Sequence, residues 1–268
     1  MFEWFTPNFM RWALFAVVLL APLLGLMGSM VTLGRMAYFS DSLTHASLLA
    51  AGVGMLLGIA DQTVALIIVG AVYALGIILA QERSLNATDT LIGVFSSAAM
   101  ALGVVLLSVG GGFARYTSLL VGDLLMVGPG DIIALGCLLA LAIGYMALFG
   151  NKLMLVNLSP SLAHSRGVHR RWISLSFALL LAVVIMVCVR FVGTLVLNAM
   201  LILPAAAAQN ATTSARKYML LSIGISLGCG ILGLVSSYYL STATGATIVL
   251  VLFVLWLITT ILKKRTIR

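Results

Sequence analysis

Two residues with chemical potential stand out in an otherwise apolar chain: Asp41 and His45, inside Arg35–Leu49 (RMAYFSDSLTHASLL). Four residues is slightly more than one helical turn, so a helix here puts the carboxylate and the imidazole on one face. Both are metal ligands, and both are costly to hold in an apolar medium, which marks the pair as a functional site. The alternative is structural: a polar pair that hydrogen-bonds one helix to another. Ser42, Thr44 and Ser47 add polar atoms nearby. Counted from Arg35, Asp41 lies about 9 Å and His45 about 15 Å along a helix.

Composition says what must position them. Of 268 residues, 62% are hydrophobic and 8% charged, and mean hydropathy is +1.20. A soluble domain carries about 25% charged residues, so this is a polytopic membrane protein. Apolar runs of about twenty residues recur along the chain, the spacing of an all-α helix bundle rather than a membrane β-barrel. Nine spans are expected, near 10–33, 38–59, 63–82, 89–109, 131–150, 172–189, 192–208, 218–238 and 245–262. The seventh is short and holds Pro204, so eight is also open. The whole chain, 1–268, reads as one transmembrane domain, without a removable signal peptide or a sizeable soluble domain. Cys137, Cys188 and Cys229 fall in separate apolar segments and read as small core residues.

The net charge of +8 reflects basic loops rather than nucleic-acid binding. With the N-terminus outside, twelve of the 15 Lys and Arg fall on the inner side: Arg35, Arg83, Lys152, Arg166, Arg170, Arg171, Arg216, Lys217, Lys263, Lys264, Arg265 and Arg268. Arg11, Arg115 and Arg190 remain. The positive-inside rule then makes the C-terminus cytoplasmic.

Several connections carry features of their own. Asp61 reads as a solvated turn residue, and Asp89 as a helix cap. Residues 110–131 are too broken for a full span. A short re-entrant or surface helix over Leu119–Val127 would end at Gly128-Pro129-Gly130, with Asp123 lining an outer vestibule or simply solvated. The connection 151–171 breaks at Ser159-Pro160, forms a short helix capped by Ser159 and leaves through Gly167, an arrangement suited to docking a soluble partner. His164 and His169 there read as solvated or partner-facing. In 190–209, Arg190, Asn198 and Pro204 make a candidate pore-lining or gating element. No P-loop, H-E-x-x-H or G-x-S-x-G motif occurs, so no enzymatic activity is expected of the chain itself.

Four stretches in order, RMAYFSDSLTHASLL, LLVGDLLMVGPGD, LSPSLAHSRGV and RFVGTLVLNAMLILPAAAA, resemble the integral-membrane permeases of zinc and manganese ABC importers, and most resemble the zinc-uptake permease subunit. The resemblance covers about residues 34–262. It implies a multi-pass protein of the bacterial inner membrane, working as a homodimer with cytoplasmic ATP-binding subunits and a periplasmic metal-binding protein. It implies Zn2+ or Mn2+ as transported substrate, with no permanently bound cofactor. Asp41 and His45 match the family's Asp and His in the permeation path. Ser159, Pro160, Ser161, Leu162, Ala163, Gly167 and Val168 match the helix that couples to the ATPase. The chain departs from the family where Ser161 replaces the usual acid, Ser96-Ser97 a frequent His-Ser, and Gln209-Asn210 frequent arginines. The residues alone leave two rivals: a proton- or ion-coupled secondary carrier acting without an ATPase, with Asp41 as its proton site, and a non-transport scaffold in which the pair is structural.

Overall fold

A computed structural model describes residues 8–59, 61–84, 87–109, 122, 124 and 127–266. Among them the chain forms nine α-helices and no strands: α1 (Asn8–Leu33), α2 (Ala37–Leu56), α3 (Gln62–Arg83), α4 (Thr88–Val109), α5 (Pro129–Leu158), α6 (Pro160–Ser165), α7 (Arg170–Ala211), α8 (Ala215–Leu240) and α9 (Thr244–Thr266). Seven are long and apolar enough to cross a membrane. The polar run of α2 keeps it out of that set, and α7 is counted there once although it is two arms.

At 42 residues, a straight α7 would be about 63 Å long, twice a bilayer core. The break is Gly193, at φ 78 and ψ 166, a conformation open essentially to glycine alone. Before it, α7 runs antiparallel to α3: Arg171 pairs with Glu82 at the end of α3, Met186 lies against Gly70, and Arg190 reaches Thr63 at its start. After it, Leu201 lies against Gly28 of α1 and Asn210 bonds Thr260 near the end of α9. Both ends of α7 therefore lie at the same end of the bundle, and the chain reverses at one residue. The sixth and seventh expected spans are these two arms, with no loop between them.

α7 is the hub, with α1, α2, α3, α5, α8 and α9 all packed on it; α1 also packs on α8 and α5, α2 on α4 and α3, and α9 on α8. Small residues set these approaches, as expected where lipid offers helices no hydrophobic reason to associate. Gly28 meets the Leu201 carbonyl, Gly25 meets α8 at Ser222, and Gly52 meets Leu106 of α4. Hydroxyls reinforce them: Ser222 Oγ donates to the Gly25 carbonyl (2.8 Å) and Tyr218 Oη to the Ser29 carbonyl (3.1 Å).

Four expectations change. α5 continues to Leu158, eight residues beyond its expected span, so the following connection is shorter. Gly128 and Pro129 open α5 as its cap position and first residue, with Gly128 N–H donating to Asp131 Oδ2 (3.0 Å). Asp61 is not merely solvated: it caps α3, accepting from Thr63 N–H at 2.8 Å. Cys137 is exposed on the outer face of α5, whereas Cys188 and Cys229 are buried as expected. Asp89 stands in the first turn of α4, where its charge complements the helix dipole. Leu119–Val127 lies mostly outside the described residues.

Candidate metal-permeation site

The polar residues of α2 divide into those that are satisfied and those that are not. Ser40 Oγ donates to the Ala37 carbonyl (2.8 Å), Thr44 Oγ1 to the Asp41 carbonyl (2.6 Å) and Ser47 Oγ to the Thr44 carbonyl (2.6 Å). Each is closed into its own helix. Ser42 leaves the helix to meet Tyr73 Oη of α3 at 2.6 Å. What stays open is the face of Asp41 and His45, whose side chains are 47% and 32% exposed. The helix begins at Ala37, because Arg35 takes a left-handed φ of 54°. Asp41 is therefore about 6 Å and His45 about 12 Å beyond the helix start, less than a count from Arg35 gives.

His45 Nε2 stands 3.7 Å from Asp41 Oδ2. That is too long for a hydrogen bond. Two donors each about 2.1 Å from one tetrahedral ion stand roughly 3.4 Å apart, so a small shift lets both bind the same divalent cation.

The second arm of α7 supplies the third member. Asn198 Nδ2 donates to Asp41 Oδ1 at 2.5 Å and to Thr44 Oγ1 at 3.1 Å. One carboxylate oxygen is thus tied to α7 while the other faces the imidazole. His45 Nδ1 and Asn198 Oδ1 are buried and find no hydrogen-bond partner among the described residues. Nowhere among those residues do three or more His, Cys, Asp or Glu come together. One chain therefore offers two ionisable ligands here, too few for a closed zinc site.

The other residues singled out from the sequence lie elsewhere. Arg190 is at the opposite end of α7's first arm, donating to Thr63 Oγ1 beside Asp61. Pro204 is buried within the second arm. Asp123 lies outside the described residues. Ser159, at the cap position of α6, makes no capping hydrogen bond, contrary to expectation; its Oγ meets Ser161 Oγ at 3.2 Å. Pro160 is the first residue of α6. Leu162 is 55% exposed while Ala163 is buried, so α6 sits on the bundle through Ala163 and turns Leu162 outward. Gly167 takes a left-handed φ of 69° just before the half-buried Val168. His164 and His169 are exposed.

Sequence reasoning picked out Asn198 but not its bond to Asp41, 157 positions away. It missed Tyr73 and the Thr63–Arg190 contact. An isolated tyrosine or threonine in an apolar span gives no sign of its partner.

Residues 6–263 match the model of the ABC 3 transport family. The chain is 30% identical to the manganese import system permease protein ScaB of Streptococcus gordonii, over 94% of this chain and 90% of that one. It is 27% identical to the high-affinity zinc uptake system membrane protein ZnuB of Haemophilus influenzae, over 89% and 91%. Its fold is similar to a chain in the structure of PsaBC from Streptococcus pneumoniae in complex with Fab, with TM-score 0.84, 27% identity and 95% and 91% coverage. With the family model matched over nearly the whole length, the chain belongs to the ABC 3 transport family, as a multi-pass membrane protein.

Proposed function

We propose that the chain is the permease subunit of an ATP-driven importer of a divalent transition metal, zinc or manganese. The observation that carries this is the Asp41–His45 pair: an acid and an imidazole on one open helix face, 3.7 Å apart. The names of its relatives, manganese importers and zinc importers alike, support a metal substrate and leave both metals in play. Imidazole suits zinc, and carboxylate with water suits manganese, so the pair accommodates either.

In this reading the site is transient. Two ligands from one chain hold a metal weakly enough to release it, with waters filling the remaining positions. A second copy would bring another Asp41 and His45 to the axis, making a two-carboxylate, two-imidazole set that offsets the metal's charge. Asn198 fixes the carboxylate, and the Gly193 reversal lets α7 move its second arm with the outer end of its first. Arg190 and Pro204 belong to this gating element, and Asp123 to the outer vestibule. The end of the bundle carrying Arg35, Arg83, Arg170, Arg171, Lys217 and Lys263 faces the cytoplasm, as does the C-terminus. There α6, through Leu162, docks on an ATP-binding subunit, while a periplasmic metal-binding protein delivers the ion. ATP hydrolysis is the partner's chemistry; this chain supplies the path.

The test is metal uptake by membrane vesicles holding the complete transporter. D41A and H45A should each abolish concentrative zinc or manganese uptake while the protein stays in the membrane. L162D should uncouple ATP hydrolysis from uptake. Full uptake by both D41A and H45A sinks the site, and uptake that survives without an ATP-binding subunit sinks the importer.

A further inference from the structure

A second feature lies away from the Asp41–His45 face. A cavity of about 710 Å³ opens at the basic end of the bundle, between the α1–α2 turn, the end of α3, the starts of α4 and α7, and the end of α5. Its α2 residue is Phe39, two positions from Asp41 and so about 200° around the helix. The cavity therefore lies on the other side of α2 from the candidate metal ligands. Its size is that of small-molecule sites.

Its lining is divided. The polar part holds Arg35, Arg170 and Arg171 against the single carboxylate of Glu82. Arg171 Nη2 is bound to Glu82 at 2.9 Å, which leaves Arg35 and Arg170 as the excess positive charge. Asn157 adds a donor: its Nδ2 is buried and finds no hydrogen-bond partner among the described residues. Thr88 and Arg170, the first residues of α4 and α7, both line it. The start of α7, with no side-chain cap and no acid in its first turn, brings amides and a positive dipole end there, while Asp89 offsets the dipole of α4. The apolar part is Phe39, Ile92, Val156 and Ala178, all buried.

Arg35 adds a point about the backbone. It takes a left-handed φ of 54°, which glycine adopts without penalty and arginine does not. Gly34 stands beside it in the same turn, yet the left-handed position is occupied by a residue that brings a guanidinium to the cavity.

We propose that this cavity binds the phosphate-bearing headgroup of an anionic membrane lipid at the basic end of the bundle. The ligand chemistry is a phosphate mono- or diester: Arg35, Arg170, the Asn157 amide and the helix-end amides donate to its oxygens. The apolar part takes the start of the acyl chains, which a free phosphate does not have. Basic pockets between membrane helices on the cytoplasmic side bind anionic lipid headgroups. Bound lipid would tie α2, α3, α5 and α7 together where the chain meets α6.

The test is native mass spectrometry of the full chain released from nanodiscs, probed with phosphatidylglycerol, phosphatidylcholine and inorganic phosphate. Wild type is expected to retain phosphatidylglycerol in preference to phosphatidylcholine, and millimolar inorganic phosphate to leave it bound. R35Q and R170Q should each weaken retention roughly fivefold, and together bring it to the phosphatidylcholine level. E82Q frees Arg171 and should tighten retention by a similar factor, a gain that misfolding does not mimic. Equal retention of the two lipids, or an E82Q chain that binds no better, overturns the proposal. So does displacement by inorganic phosphate alone, which makes the site one for a free anion. If neither lipid is retained and the double arginine variant instead sheds a bound ATP-binding subunit, the cavity is a protein-docking surface and the lipid assignment falls.

Discussion

Asn198 and Asp41 meet across two helices, Nδ2 to Oδ1 at 2.5 Å. The bond fixes which carboxylate oxygen is free. Oδ1 is held by α7, and Oδ2 is left toward His45 Nε2 at 3.7 Å. The arm of α7 that begins at Gly193 is thereby fastened to the one acid of α2.

Removing that donor should act on the site more than on the fold. A hydrogen bond to a charged group contributes about 1.5–3 kcal/mol, so N198A should raise the metal concentration for half-maximal uptake by roughly tenfold or more. N198D, which sets a second carboxylate against Asp41, should transport still less at neutral pH. Uptake saturation curves in vesicles measure both; unchanged curves would remove Asn198 from the site.

Gly193 carries the reversal of α7 at φ 78 and ψ 166. G193A should cost about 1–3 kcal/mol in backbone strain, seen as a lower unfolding midpoint of the detergent-solubilised chain. Because Asn198 lies five residues beyond the break, uptake should fall as well. A variant of wild-type stability and uptake would mean that another residue carries the turn.

Glycines in this chain are not equivalent. A Cβ on Gly28 would run into the Leu201 carbonyl, whereas one on Gly224 meets nothing within 4 Å. G28A should force α1 and α7 apart at a cost of about 1–3 kcal/mol or more, with lower yield in the membrane. G224A should be neutral. Thermal unfolding of the two side by side checks the contrast.

Asp61 makes a pH-dependent contribution at the start of α3. The Thr63 backbone N–H, then the Thr63 hydroxyl, hold its carboxyl below the ordinary value of 3.8, with Arg190 adding to the effect. A carboxyl lowered on folding stabilises the fold at pH above its unfolded value, and that contribution is lost as pH falls through the folded value. D61A should therefore unfold more readily than wild type at pH 7, and the gap should close below pH 3.8. Unfolding midpoints across that range decide it; a gap constant with pH would assign the cap to shape alone.

The amino-acid sequence by itself determined the class, most of the spans and the pair at the centre. Apolar runs of bilayer length admit only helices, because no water is present to satisfy an exposed backbone. A spacing of four places Asp41 and His45 on one face whatever surrounds them. Small residues such as Gly28 and Gly52 allow close approach wherever they stand in a membrane helix, but nothing local says which helix fills the space. The tertiary structure decided the rest. It turned the sixth and seventh spans into two arms about Gly193, since a single positive φ leaves no run of polar or turn-forming residues to read. It brought Asn198 to Asp41 and Tyr73 to Ser42, contacts between positions far apart in sequence with no local periodicity linking them. It gave Ser159 to Ser161 rather than to the amides of α6. It also gathered Arg35, Arg170 and Asn157 around one cavity: each is an ordinary residue at a helix end, and only the packing of five elements makes them converge.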